Sequence, residues 1–252
     1  ILIIGCGLLG SSLVRKVAQK KLAKKIFIYE KSKRNILKIK KLKLRGILTN
    51  NLSNAVHQSE LIILCTPMSE YKKIIAKINS FLTSQHIITD VGSSKLKSLE
   101  IIKKNLKKKI SWTSSHPIAG SEVSGPENGK KDLFVNKWCV LIKDKKTNLK
   151  HLKILSSFWK KLGSKITIMS PEKHDKIFSI TSHLPHLVAY NLVKSAQDFE
   201  KMQKFDLIKY SAGGLRDFSR IAASNEIMWR DIFFDNKKNI IEAIDLFIKN
   251  LT

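Results

Sequence analysis

Up to about residue 170 the chain alternates between two apolar patterns, and beyond it only one of them persists. Short, nearly continuous apolar runs occur at Ile1–Ile4, Lys25–Tyr29, Gly46–Thr49, Glu60–Cys65, His86–Thr89, Trp138–Ile142 and Lys165–Met169. Runs without a polar face are those of strands covered on both sides. Between them lie amphipathic stretches read as helices: from the glycines after Ile4 to Lys20, Ser53–Gln58, Tyr71–Phe81, a segment ending near Asn105, and Leu149–Leu162. Strands alternating with helices predict a parallel, doubly wound sheet. A β-like run, Ile110–Ser114, leads into Ser115–Asn128, too rich in Gly, Pro and Ser to be read as helix or strand. From Pro171 the pattern is helical: one long stretch to about Phe199, then further helices and no strand. The expected boundary is therefore near residue 170, with domains 1–170 and 171–252. A helical segment of that size is small for an independent core, so it is expected to pack against a second copy of itself.

The first strand runs directly into Gly5-x-Gly7-x-x-Gly10, with Leu8 and Leu9 opening the helix that follows. Strand, glycine-rich turn and helix in this order suit the pyrophosphate of a dinucleotide. The first glycine makes the turn, the second admits the phosphates, and the third packs helix on strand. The helix N-terminus then faces the anion. The second strand ends in Glu30, twenty residues after Gly10, where a carboxylate accepts from a ribose diol and disfavours a 2′-phosphate. That favours NAD, while Lys31, Lys33 and Arg34 keep NADP open. Thr66 and Pro67, at the end of another strand of what reads as a Rossmann-type sheet, belong to the same cofactor-binding edge.

Composition changes this picture little. The 252 residues carry a net charge of +27, which raises nucleic acid as a partner. Only six of the 47 basic residues are arginine, and the lysines are spread through every segment alongside many Ile and Asn, as on generally solvated faces. Nucleic acid is therefore not the expected partner. Three arginines do cluster, at 216, 220 and 230. Cys6, Cys65 and Cys139 are far apart and lie in apolar runs, so reduced, buried thiols and a cytoplasmic setting are expected, with neither disulfides nor a metal site. No apolar run reaches the ~18 residues of a membrane span. The chain starts at Ile1 and not at methionine, so residues upstream are expected.

The Ser115–Asn128 stretch holds His116 directly after an expected strand end, followed by glycines, hydroxyls and glutamates. Histidine is the natural proton acceptor of such a loop. Taken alone, the loop is equally a surface turn with a hydrogen-bonded histidine. Its position beside Thr66-Pro67 and Asp90–Ser94, all at carboxyl ends of expected strands, favours chemistry.

Five segments together resemble the prephenate/arogenate dehydrogenase family: Asp90-Val-Gly-Ser-Ser-Lys95, His116-Pro-Ile-Ala-Gly-Ser-Glu122-x-x-Gly125, Ser182-His-Leu-Pro-His186, Gly213-Gly-Leu-Arg216-Asp-Phe-Ser-Arg220, and Met228-Trp-Arg-Asp231. The resemblance spans essentially the whole chain. It implies a Rossmann domain followed by an all-helical dimerisation domain in a homodimer. Substrate binds between the two, and NAD or NADP takes the hydride, in tyrosine biosynthesis.

The resemblance also implies residue roles. His116 stands where the family has its general base and Ser93 where it has the orienting hydroxyl. Arg220 matches the arginine that holds a substrate carboxylate, and Arg216 lies one helical turn away. His186 and His183 match histidines lining the substrate site, and Ser121, Glu122 and Ser182 complete a polar pocket, whereas Trp229 reads as core. No metal is implied. Two alternatives stay open on sequence: another Rossmann-plus-helical dehydrogenase, of the 3-hydroxyacid or pyrroline-carboxylate reductase type, and a basic nucleic-acid binder with a vestigial cofactor fold.

Overall fold

Apolar runs with no polar face need cover on both sides, and the fold supplies it. The computed structural model describes residues 1–107, 109–204, 206 and 208–251. Strands β1 (Leu2–Ile4), β2 (Phe27–Tyr29), β3 (Ile47–Thr49), β4 (Leu61–Leu64) and β5 (Ile87–Asp90) form one parallel sheet in the order β3-β2-β1-β4-β5. The crossovers are helices α1 (Leu8–Gln19), α2 (Lys33–Lys41), α3 (Leu52–His57) and α4 (Tyr71–Ile78), with α5 (Leu96–Asn105) following β5. Each strand lies within two residues of its expected place. Helix α2 was not anticipated: its segment is a basic run with a single buried residue, Ile39, and leaves no apolar stripe to read. The chain winds outward from β1 to β3 and then returns to β4, so the order reverses between β1 and β4. Ligands of open α/β sheets bind at that crevice.

Beyond β5 the structure corrects the sequence reading. Ile110–Ser114 is no strand; it contributes one isolated bridge, Trp112 to Ile88. The strand is the next three residues, β6 (Ser115–Pro117), which pairs antiparallel with β7 (Trp138–Ile142), so His116 sits inside a strand opposite Val140. Pro117 is tolerated because β6 is an edge strand and the next ladder bond to β7 is donated by Ile118 to the Trp138 carbonyl. Strand β8 (Lys165–Met169) pairs parallel with β7. Helix α6 (Leu149–Lys161) connects them and buries Leu152, Leu155, Phe158 and Trp159.

A polar network ties β5 to β6. Asp90 and Lys95 form an ion pair at 2.8 Å with both side chains 0% exposed. Lys95 also donates to the Ser115 carbonyl at 2.8 Å. Asp90 Oδ2 accepts from the Tyr71 hydroxyl (3.1 Å) and the Gly92 amide (3.0 Å), and Oδ1 accepts from the Trp112 indole at 3.3 Å. The Asp90 carbonyl accepts from the Ser115 hydroxyl at 2.6 Å. Lys95, at the N-cap position of α5, makes no side-chain capping bond. Its charge is spent on Asp90 and Ser115.

By contact density the chain divides into Ile1–Gly120 with Ser124–His174, and Ser121–Val123 with Asp175–Thr252. Helix α7 (Pro171–Phe178) contains that division. The described part of the second unit is helical: α8 (Leu184–Gln203), α9 (Gly213–Ala222), α10 (Glu226–Asp235) and α11 (Lys237–Lys249). The long helix expected from Pro171 is interrupted by a π turn at Ser179–His183. The turn precedes Pro185, which lacks an amide donor and whose ring crowds the carbonyl one turn back. Several large apolar side chains of this unit remain exposed, among them Met202, Phe234, Leu246 and Leu251.

Replacing Lys95 by methionine strands the Asp90 carboxylate in a dry interior. It should destabilise the protein by ~3–5 kcal/mol, read as a fall in the denaturant midpoint at unchanged slope. A loss below ~1 kcal/mol, the range of a surface pair, would show that Asp90 is hydrated.

Candidate active site

The glycine turn is built as a phosphate cradle. Gly5 has φ +89°, and a Cβ there would meet the Cys65 carbonyl and the Thr66 methyl at 2.7 Å. A Cβ on Gly10 would lie 2.1 Å from the Gly5 carbonyl, so α1 reaches β1 only because position 10 has no side chain. At Gly7 a Cβ would meet nothing within 4 Å, leaving space in front of the helix. Helix α1 begins there with no side-chain cap and no acidic residue in its first turn, so the amides of its opening residues, Leu8 and Leu9 among them, are available to an anion.

Across the switch point, Thr66 follows β4, and its Oγ1 is buried with no hydrogen-bond partner among the described residues. Glu30 anchors the other end: its carboxylate accepts from the Cys6 amide and the Ser32 amide, each at 2.8 Å. A carboxylate has about four acceptor positions, so capacity for a ribose diol remains. Of the cations that keep NADP open, Lys31 is paired with Glu70 at 2.8 Å and Lys33 is exposed, while the neighbouring Lys38 pairs with Glu127. Arg34 faces Glu127 as well. The residues therefore fit a dinucleotide without a 2′-phosphate.

His116 is nearly buried at 9% exposure, and its Nδ1 lies 2.8 Å from Nε2 of His174, which is 0% exposed. The two rings are tilted by 56° with centroids 5.0 Å apart. Sequence reading missed His174, which is 58 positions away on α7. A signal was present: Pro171, His174, Asp175 and Phe178 form the buried stripe of that helix, and two of its positions are polar. Ser93, the expected orienting hydroxyl, is half-buried in the turn after β5. Pro67 begins the short turn leading into α4.

The second unit holds the other candidates. Arg216 and Arg220 lie four residues apart on α9, both exposed. Arg220 Nη1 is 3.7 Å from Glu122 Oε2, with the arginine side chain 57% exposed. A long, solvated pair of this kind contributes ~0–1 kcal/mol, so a ligand carboxylate can compete for the guanidinium. Ser121 beside it is exposed. His186 donates from Nδ1 to the Ser182 carbonyl at 2.8 Å, which leaves Nε2 as its acceptor atom. Its ring stacks on buried Trp229 with centroids 3.6 Å apart. Burial lowers the His186 pKa, with the Ser182 contact opposing, so the ring is neutral at pH 7. His183 is fully buried, and its Nδ1 meets Asn236 at 3.0 Å.

The three cysteines are free and stand outside this chemistry. Burial pushes the Cys6 thiol up to about 12 and raises Cys65 and Cys139 as well. No group of three or more His, Cys, Asp or Glu suited to a metal occurs among the described residues.

A dinucleotide cradle at the switch point of a doubly wound sheet, with a buried histidine pair on the same unit, defines a nicotinamide-dependent dehydrogenase. The chain belongs to the prephenate dehydrogenase family: residues 13–168 match its nucleotide-binding domain and residues 170–252 its dimerization domain. It is 34% identical over 251 residues to the cyclohexadienyl dehydrogenase of Zymomonas mobilis, covering all of this chain and 85% of that protein. To the prephenate dehydrogenase of Bacillus subtilis it is 31% identical over 253 residues, covering 100% and 68%. The solved prephenate dehydrogenase of Aquifex aeolicus, in complex with hydroxyphenyl propionate and NAD+, superposes with a TM-score of 0.91 at 35% identity, over 99% of this chain and 87% of that one.

The glycines make separable predictions. Gly7→Ala should leave the melting temperature within about a degree while weakening NAD binding at least tenfold in calorimetry, since its Cβ enters only the phosphate space. Gly10→Ala should lower both, because its Cβ collides with the Gly5 backbone. Equal NAD affinity in Gly7→Ala and wild type would place the pyrophosphate elsewhere.

Proposed function

We propose that the protein oxidises and decarboxylates prephenate, arogenate or both, giving 4-hydroxyphenylpyruvate or tyrosine, as the NAD-dependent dehydrogenase of tyrosine biosynthesis. The observation carrying this reading is the family match across both domains. Residues 1–170 are assigned to cofactor binding, and residues 171–252 to substrate contacts and pairing with a second copy. No helix among the described residues is long and apolar enough to cross a membrane. We assign the enzyme to the cytoplasm, a reading supported by three free cysteines.

The chemistry needs few protein groups. The substrate ring bears a hydroxyl on a carbon that also carries the departing hydrogen, opposite a quaternary carbon bearing a carboxylate. NAD, when bound, accepts that hydrogen with its electron pair. Gly5, Gly7, Leu8, Leu9 and Gly10 would hold the pyrophosphate, Glu30 the ribose, and Thr66 and Pro67 the wall beside it. His116 takes the hydroxyl proton as the ketone forms. With Nδ1 committed to His174, the ring's other nitrogen, Nε2, is the atom that receives it. Ser93 orients the hydroxyl. Arg220 holds a carboxylate through its planar fork, with Arg216 and Glu122 tuning the charge around it. His186, a neutral acceptor at Nε2, and Ser121 and Ser182 supply polar contacts. His183 supports them from the core. Loss of the ring carboxylate as CO2 then sends its electron pair through the ring to the ketone oxygen, which takes back the proton held by His116 as the aromatic phenol forms.

Steady-state assays crossing prephenate and arogenate with NAD and NADP test the reading. NAD should be preferred with at least one substrate, and absence of turnover with all four pairs would overturn it. His116→Asn should lower kcat by ~10²–10⁴-fold and abolish the acid limb of the pH profile. That limb should fall about tenfold per pH unit in wild type as the imidazole protonates. An unchanged limb would transfer the base to His186. Arg220→Ala should act differently, raising KM by about tenfold to a hundredfold, the range of a hydrogen bond to a charged group. An effect under threefold would move the carboxylate to Arg216.

A further inference from the structure

We infer that His174 is a positioning residue for the reaction: it accepts the Nδ1–H of His116 and so holds that ring in the tautomer whose Nε2 is basic. The inference rests on the reading of His116 as the general base and adds a residue that the sequence reading had not singled out.

The geometry leaves two arrangements of one proton. The atoms His116 Nδ1 and His174 Nε2 are 2.8 Å apart, and a hydrogen bond between two imidazole nitrogens requires one donor and one acceptor. If His174 donates, neutral His116 carries its own proton on Nε2 and has no lone pair there for a substrate hydroxyl. If His116 donates, its Nε2 is the acceptor and His174 carries its proton on Nδ1. Only the second arrangement is competent.

It is also the only one that survives the chemical step. When Nε2 takes the substrate proton, His116 becomes an imidazolium with protons on both nitrogens, and its Nδ1 can do nothing but donate. A His174 already accepting at Nε2 keeps its bond and strengthens it, because the donor is now charged. The other arrangement would bring two N–H groups together. No proton passes to His174 at any stage; one bond to hydrogen breaks at the substrate oxygen and one forms at His116 Nε2.

Burial makes the partner effective. His174 is 0% exposed and sits on the inner stripe of α7, its amide bonded to Ser170. On the other side, the backbone of His116 is held in β6, opposite Val140, and the carbonyl of Ser115 before it is held by Lys95. A buried acceptor at fixed distance needs no reorganisation when the charge appears. The logic is that of the carboxylate in a serine-hydrolase triad, with a neutral acceptor in place of an anion.

Two variants and one spectroscopic measurement test it. His174→Gln offers a side-chain oxygen near the position of Nε2, whereas His174→Phe fills the space and accepts nothing. Phe should lower kcat about tenfold to a hundredfold, the effect of losing a hydrogen bond to the charged ring, with KM within threefold. Gln should restore at least a third of the wild-type kcat. In wild-type protein, 15N shifts of the imidazoles should report His116 protonated on Nδ1 and bare on Nε2 at a pH where the ring is neutral. In His174→Phe the Nε2–H form should appear. Wild-type kcat in His174→Phe, equal losses in Phe and Gln variants of native melting temperature, or Nε2–H on His116 in the wild type would each overturn the assignment. The tautomer is read without substrate. A protein inactive on prephenate and arogenate would therefore refute the proposed function while still deciding the histidine pair.

Discussion

The ion pair of Asp90 and Lys95 is the constraint on which the catalytic edge depends. Two charges taken wholly out of water cost several kcal/mol each before their attraction is counted, so such a pair persists only where every remaining valence is used. Here the carboxylate also accepts from Tyr71, Gly92 and Trp112, and the ammonium also donates to the Ser115 carbonyl. The consequence is mechanical. The end of β5, the helix that follows it and the first residue of β6 are fastened at one buried point, one residue away from His116. A short strand with only three ladder positions has little register of its own. The pair supplies the register.

The first unit thus uses two different strategies for its polar work. At the dinucleotide end the backbone does most of it: glycines bring α1 close to β1, and an uncapped helix terminus offers amides to phosphate. Side chains add one carboxylate, Glu30, itself pinned by two amides. At His116, the proposed base, the work would belong to side chains, and the environment is buried. Two imidazoles can share a hydrogen bond without a net charge, whereas an imidazole–carboxylate pair carries one, and the buried acid Asp90 is already paired with Lys95. The two strategies would suit the proposed ligands, a dianionic pyrophosphate and a single migrating proton.

The second unit is organised differently. Arg216 and Arg220 are exposed, Arg220 only loosely paired with Glu122, and the unit's histidines are fixed by carbonyl, amide and indole neighbours. Its exposed apolar side chains accord with the match of this segment to a dimerization domain. The large positive charge of the chain has no counterpart in this arrangement. Lysines at Lys31, Lys38, Lys97 and Lys104 sit in solvated pairs with glutamates, worth little individually.

The strands and helices of the parallel sheet were legible in the sequence because a buried strand and an amphipathic helix each leave a local periodic trace. The cofactor turn was legible too, since the steric demands at Gly5 and Gly10 admit one residue type. His116, Arg220 and His186 were marked by the family motifs. Local pattern said nothing of α2, whose charged surface hides a single buried isoleucine. It misplaced β6 by a few residues, because a strand containing Ser, His and Pro is recognisable only through the partner β7 that completes its ladder. The Asp90–Lys95 pair stood in plain view as the two ends of a motif. Nothing at a spacing of five residues says that both charges are buried, as that depends on Tyr71, Trp112 and Ser115 closing over them. His174 is the clearest case. Histidine on a helix is ordinary, and its meaning comes from a second histidine 58 positions away. Sequence alone determined most of the elements of the parallel sheet and marked many of the residues that can bear the chemistry. Tertiary structure decided which nitrogen meets which, because hydrogen bonds between distant residues depend on packing, and packing is not a local property of the chain.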